Sequence, residues 1–167
     1  MEKSSVFQKW RLVSAVVLSL SLIAYIRYCF WEADRSAKSA AKGFALTQLG
    51  SINREQQDFY KEYQRFALAS EIKTTGFSDL TISGKVPYEF QFYALDSTKA
   101  IATATAQRDG ISSYTAIVFA ISAIENITNS EICVTDKPSR TPPKIPQVSG
   151  NVVECPSGSS SLSSLSK

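Results

Sequence analysis

The sequence contains no histidine, and only seven glycines and three cysteines among its 167 residues. Without histidine the usual general base of triads and dyads is gone, and so is the commonest zinc and haem ligand. The glycines build no phosphate-cradling loop: Gly76 and Gly84 stand isolated, and the G-x-S-x-G nucleophile elbow does not occur. The cysteines show no C-x-x-C spacing, and no Asp-rich metal loop is present. Glu55, Asp58 and Glu62 share a helical face, but Arg54, Lys61 and Arg65 interleave with them, as on an ordinary solvated surface. Ser36-Ala-Lys38 and Ser39-Ala-Ala-Lys42 lie beside an apolar run, where lysine suits lipid headgroups better than catalysis. The Asn126-Ile127-Thr128 sequon matters only in a glycosylating pathway. The expectation is a protein that is not an enzyme, with no catalytic residue, no cofactor and no metal.

Charge of one sign is scarce over most of the chain. Residues 44–167 carry eleven basic and twelve acidic side chains, so the basic face that phosphate contacts need is missing and no nucleic-acid partner is expected. Residues 1–43 carry seven and three, flanking the one long apolar run, Leu12 to Trp31, whose only charge is Arg27. At about 1.5 Å per residue this run matches the roughly 30 Å of a bilayer core. Tyr25, Tyr28 and Trp31 suit one interface and Trp10 the other. No small-x-small site follows directly, and Tyr28 precedes Cys29, so neither a cleaved secretory signal nor a lipoprotein signal fits. Cys29 reads as a buried small apolar side chain.

The organisation expected from these features is an N-terminus over 1–11, a transmembrane helix over 12–31, an extramembrane domain over 32–156 and a disordered serine-rich tail over 157–167. The lipid bilayer is then a partner. The basic flanks do not orient the span. Cys133 and Cys155 do so if they are paired, because a disulfide belongs in an oxidising compartment, whereas two unrelated thiols would say nothing. Closing a loop of about 22 residues would add roughly 3 kcal/mol.

Beyond Trp31 the helical pattern continues. Glu32 to Phe66 has no proline, and Ala45, Leu49, Ile52, Gln56, Phe59, Tyr63 and Phe66 make an apolar stripe interrupted only by Gln56. Arg54–Asp58, Asp58–Lys61 and Glu62–Arg65 are spaced for ion pairs on the other face. Gly43 and Gly50 weaken the helix and suggest a bend. A coiled-coil seam is the alternative to packing on a sheet. After Ser70 the period changes to two. Tyr88–Leu95, Lys99–Gln107 and Tyr114–Ile121 read as strands joined by turns at Asp96-Ser-Thr and Arg108-Asp-Gly, with shorter candidates at Glu131–Thr135 and Asn151–Cys155. The fold class is α+β: a transmembrane helix continued as a long amphipathic helix, packed on an antiparallel β-sheet. The row Ala100, Ala102, Ala104, Ala106 leaves room for a bulky helix residue such as Phe59. Asn53, Gln56 and Gln57 are candidate contact residues; the alternative has them bonding backbone carbonyls of a loop that crosses the helix.

Ser51-Ile-Asn-Arg-Glu-Gln-Gln-Asp-Phe-Tyr60 with Arg65-Phe-Ala67, and the pairing of Ile132-Cys133 with Glu154-Cys-Pro-Ser-Gly-Ser159, resemble the cyanobacterial type IV pilin-like G/H family. The resemblance implies a pilin-like fold, a place in the bacterial cell envelope and no enzymatic activity. With the cysteines it puts the chain in the plasma membrane as a single-pass protein, the N-terminus cytoplasmic and the C-terminal domain periplasmic. No glycine occurs before Gly43 and no acid lies between Glu2 and Glu32, so neither a prepilin peptidase site nor the early glutamate of pilins is expected. The leading expectation is therefore a non-catalytic membrane protein acting through contacts with pilin-like subunits or other envelope proteins. Two others stand beside it: a minor pilin or pseudopilin built into a type IV pilus or type II secretion pseudopilus, and a membrane-tethered ligand- or glycan-binding module. The last predicts a concave apolar pocket on the sheet.

Overall fold

The computed structural model describes residues 3–72, 87–122 and 127–166, with side chains described over 20–72, 87–122 and 127–164. Gly76, Gly84, Asn126 and the Trp10 side chain lie outside the described residues. The chain divides into two compact units, Met1–Ser39 and Ala40–Lys167.

One helix, α1 (Lys3–Tyr63), runs through both, and neither Gly43 nor Gly50 interrupts it. It ends where Gln64 adopts a left-handed φ of 54° and donates its N–H to the Tyr60 carbonyl at 2.8 Å. In the first unit the described side chains face solvent. Leu20, Leu22, Ile23, Tyr25, Ile26, Tyr28, Phe30 and Trp31 are all 44–73 % exposed. Arg35 stacks over the Trp31 ring at 5.4 Å, and Lys38 pairs with Asp34 one turn away. Cys29, expected to be buried, is free and exposed.

The expected transmembrane helix over 12–31 is corrected here. Among the described residues no helix is long and apolar enough to cross a membrane. The stretch from Leu20 to Trp31 spans only about 18 Å, short of the roughly 30 Å required. Residues 12–19, which completed the expected span, lie outside the described side chains. The single-pass topology, its cytoplasmic and periplasmic ends, the plasma-membrane location and the bilayer as a partner lose their support with it.

In the second unit, β1 (Tyr88–Asp96), β2 (Lys99–Ala106), β3 (Tyr114–Ser122), β4 (Ile127–Thr135) and β7 (Ser159–Ser161) form one antiparallel sheet in the order β1-β2-β3-β4-β7. β5 (Gln147–Ser149) and β6 (Val152–Glu154) make a separate hairpin. The β1–β2 turn is an Asx turn: the Thr98 N–H and hydroxyl both donate to Asp96 Oδ1 at 2.7 Å. At the β2–β3 connection Gly110 takes a φ of 80°, the left-handed conformation its missing Cβ permits.

Alternation assigns the two faces. Ala100, Ala102 and Ala104 lie opposite Val118, Ala116 and Tyr114. Ala102, Ala104, Tyr114, Ala116 and Val134 join one buried cluster with Ala41, Ala45, Leu49 and Ile52 of α1. The alanine row thus lies under the helix residues of that cluster. The other face of β2 and β3 buries Ile101, Thr115, Ile117 and Phe119. Backbone of the proline-rich segment crosses it, with the Thr115 hydroxyl donating to the Pro143 carbonyl at 2.7 Å and the Ser113 hydroxyl to Ser139 at 2.6 Å. Cys133 and Cys155 are disulfide-bonded on that face, with Cα atoms 5.7 Å apart.

Two expectations shift. The buried helix residue after Gln56 is Tyr60, packed with Phe66, Ala100 and Val118, while Tyr63 is 53 % exposed and Phe59 only half-buried. Spacings of 4 and 3 average 3.5, but the helix turns every 3.6 residues, so a strict heptad drifts off the buried face by the third repeat. The serine-rich tail expected to be disordered forms β7 and the 3-10 turn Ser163–Ser166. Serine buries little, yet the disulfide delivers residue 155 to β4, and the next residues pair with its edge from Cys133 to Thr135. Side-chain bonds add to this, from Ser159 to the Pro156 carbonyl and from Ser160 to Asp136, both 2.6 Å.

Candidate functional site

The three amides singled out in the sequence separate into two environments. Gln56 is fully buried and clamps the chain reversal after α1: its Nε2 donates to the Ala67 carbonyl at 3.1 Å, and the Ala67 N–H donates to Oε1 at 2.9 Å. This is the backbone-bonding alternative, with both amide atoms satisfied. Beside it Arg65 forks onto Glu71 at 2.8 and 2.7 Å, and the Leu68 N–H donates to the same carboxylate at 2.9 Å. The Arg65 fork and that N–H hold the Glu71 carboxyl at about 2, well below its ordinary 4.5. Arg65 also lies over the Phe59 ring at 4.9 Å. The expected Glu62–Arg65 pairing is thus replaced by Arg65–Glu71, and Arg54 bonds Ser51 rather than Asp58. Asp58–Lys61 forms as the spacing suggested, at 2.9 Å.

Asn53 and Gln57, one turn apart, line a groove of about 440 Å³ between α1 and the outer edge of β4. Its walls are Gly50, Asn53, Arg54 and Gln57 on the helix, and Ser130, Glu131, Ile132, Leu162 and Ser163 opposite. Glu131 is tied down twice: Oε1 accepts the Ile132 N–H at 3.0 Å, and Oε2 accepts the Ser163 hydroxyl at 2.8 Å. The β4 side of this groove was legible only at Glu131 and Ile132, inside the strand expected over Glu131–Thr135; Ser130 precedes it because the strand begins at Ile127, and the Leu162–Ser163 wall belongs to the tail.

Elsewhere, burial pushes the Tyr88 and Tyr114 hydroxyls up, and Tyr88 donates to the Ser112 carbonyl at 3.0 Å. These phenols are core anchors. Among the described residues no group of three or more Cys, Asp or Glu side chains could hold a metal ion. Most side chains on both faces of β2 and β3 are buried among the described residues.

Comparison with known proteins gives one family. The model described as type IV pilin-like G and H matches residues 43–156. No curated protein and no solved structure matches the chain.

Proposed function

Because the chain belongs to the type IV pilin-like G and H family, we propose that it is a non-enzymatic subunit of a type IV pilus or a type II secretion pseudopilus, working through contacts with other pilin-like chains. The observation that carries this reading is the solvent-exposed apolar stretch from Leu20 to Trp31. Eight large apolar side chains without cover among the described residues of their own unit form a patch of the kind that marks an interaction site. Leu22, Ile26 and Phe30 recur every four residues and so stack on one helical face, the pattern by which helices interdigitate. The folded unit over 40–167 would then be the part displayed.

The test is incorporation. A photo-crosslinking phenylalanine analogue at Phe30 should join the chain to a second pilin-like polypeptide in intact cells. Ile26→Glu should remove the protein from the sheared surface-filament or pseudopilus fraction while leaving the Cys133–Cys155 bond formed. Crosslinks to no pilin-like chain, with the protein absent from both fractions, would overturn the reading.

A further inference from the structure

The groove beside β4 has features that helix-mediated assembly does not use. Asn53 is 6 % exposed, lines the groove and makes no hydrogen bond among the described residues. A buried amide left without partners is costly, and folded proteins keep few of them. Three residues along the same helix, Gln56 shows the usual solution, with both amide atoms bonded.

The facing wall is an incompletely paired strand. Successive residues of an antiparallel strand direct their backbone groups to alternate neighbours. The Thr135 N–H donates to Ser113 on the β3 side, and the Ile132 carbonyl accepts from Leu162 on the other. Even-numbered residues of β4 therefore face away from β3. β7 pairs only with Cys133 to Thr135, so the outward groups of Thr128 and Ser130 lie past its end. Two outward N–H groups are occupied by neighbouring side chains: Ser130 donates to Asn129 Oδ1 at 2.8 Å, and Ile132 to Glu131 Oε1 at 3.0 Å. Those oxygens stand where the carbonyls of another strand would be. Arg54 and Glu131, of opposite sign, give the walls no net charge.

We propose that this groove binds an extended segment of a partner polypeptide as an added strand beside residues 128–130, beyond the bond from Leu162 to Ile132 and displacing the Asn129 oxygen from the Ser130 N–H, with one uncharged polar side chain of that segment hydrogen-bonded to the Asn53 amide. The geometry supplies both halves of such recognition. The strand edge bonds the main chain without regard to sequence, and alternate side chains of an added strand point to the helix side, as Ile132 does in the cluster with α1. There the Asn53 and Gln57 amides offer both donors and acceptors. Both Glu131 oxygens already accept hydrogen bonds and Arg54 donates to Ser51, so a charged side chain entering the same space would have to break one of these bonds to find a countercharge. The site uses no residue of 20–31 and would act whether or not the subunit enters a filament.

The test is a titration of the isotope-labelled full-length protein, kept in mild detergent, with capped hexapeptides alternating valine with asparagine, glutamine, serine or threonine. Counterparts carrying aspartate or lysine serve as controls. The expected result is saturable shifts of the Ser130 and Ile132 amides and of the Asn53 side-chain NH₂ with the uncharged set, and weaker binding of the charged set. Ser130→Pro removes the outward donor without touching a bond to β3, and Asn53→Leu removes the amide; each should weaken binding about tenfold. An unchanged amide spectrum for β1 to β3 certifies that each variant is folded. The proposal is overturned if no uncharged peptide gives saturable shifts at millimolar concentration, or if both folded variants bind as the parent does. It is also overturned if a neutral oligosaccharide, with cellohexaose as the probe, shifts these signals and the peptides do not.

Discussion

Residues 20–31 and 41–60 belong to one helix and draw on the same apolar residue types, yet they meet opposite fates. Leu22, Ile26 and Phe30 face solvent, whereas Ala41, Ala45, Leu49, Ile52 and Tyr60 are buried. Helix propensity does not separate them. The difference is that the second stretch meets a sheet made by its own chain, and the first meets no cover among the described residues of its own unit. Apolar patterning thus specifies that a surface will be covered without saying by what. Inside one chain the covering element can be read from the next hundred residues; for residues 20–31 none of the described residues supplies it.

The largest effect expected is one that breaks this symmetry outright. Leu49→Ala should cost about 2–5 kcal/mol by cavity formation, while Ile26→Ala should stay within about 0.5 kcal/mol, both measured by denaturant unfolding of the sheet unit. Equal losses would mean that residues 20–31 are covered by their own chain. Reduction of Cys133–Cys155 comes next, with about 3 kcal/mol lost for a loop of its separation of 22 residues. It should lower the melting temperature of the sheet while leaving the helical signal of the first unit intact. Gln56→Ala strands the buried N–H and carbonyl of Ala67 and should cost about 1–3 kcal/mol, again in the second unit only. The smallest effect is electrostatic. Glu71 is held at about 2 against an ordinary 4.5, so its pairing with Arg65 stabilises the fold fully above about 4.5 and is lost as the pH falls toward 2. Glu71→Gln should flatten the acid limb of stability between those values, with no change at neutral pH in the slope of stability against pH.

Much of the second unit was legible because its residues repeat with a period of two between clear turn signals. Tyr88–Asp96, Lys99–Ala106 and Tyr114–Ser122 fall within a residue or so of the stretches the alternation marked. The helix-on-sheet arrangement followed from the alanine row and the stripe on α1. What escaped had physical causes. β7 carries no apolar signal, since it is held by backbone bonds and by the tether of Cys155. The start of β4 lies in Ile-Thr-Asn-Ser, where polar residues hide the alternation. Tyr60 displaced Phe59 through helical drift, and Arg65 chose Glu71 because the chain reversal after Gln64 brings that carboxylate round. The groove suffered most, since its two walls come from the helix middle and the serine-rich tail, and only Asn53 and Gln57 were marked as contact residues beforehand.

The bridge between Cys133 and Cys155 also has a mechanical meaning. A subunit pulled from its two ends pays out chain as elements peel away, and 22 residues of free chain would release about 75 Å. The covalent link takes that stretch out of the load path. Tension entering through the first residues passes from β4 straight to β7, and the proline-rich loop and the β5–β6 hairpin ride on it unstrained. A chain so stapled lengthens under force by about 75 Å less than it would without the bridge.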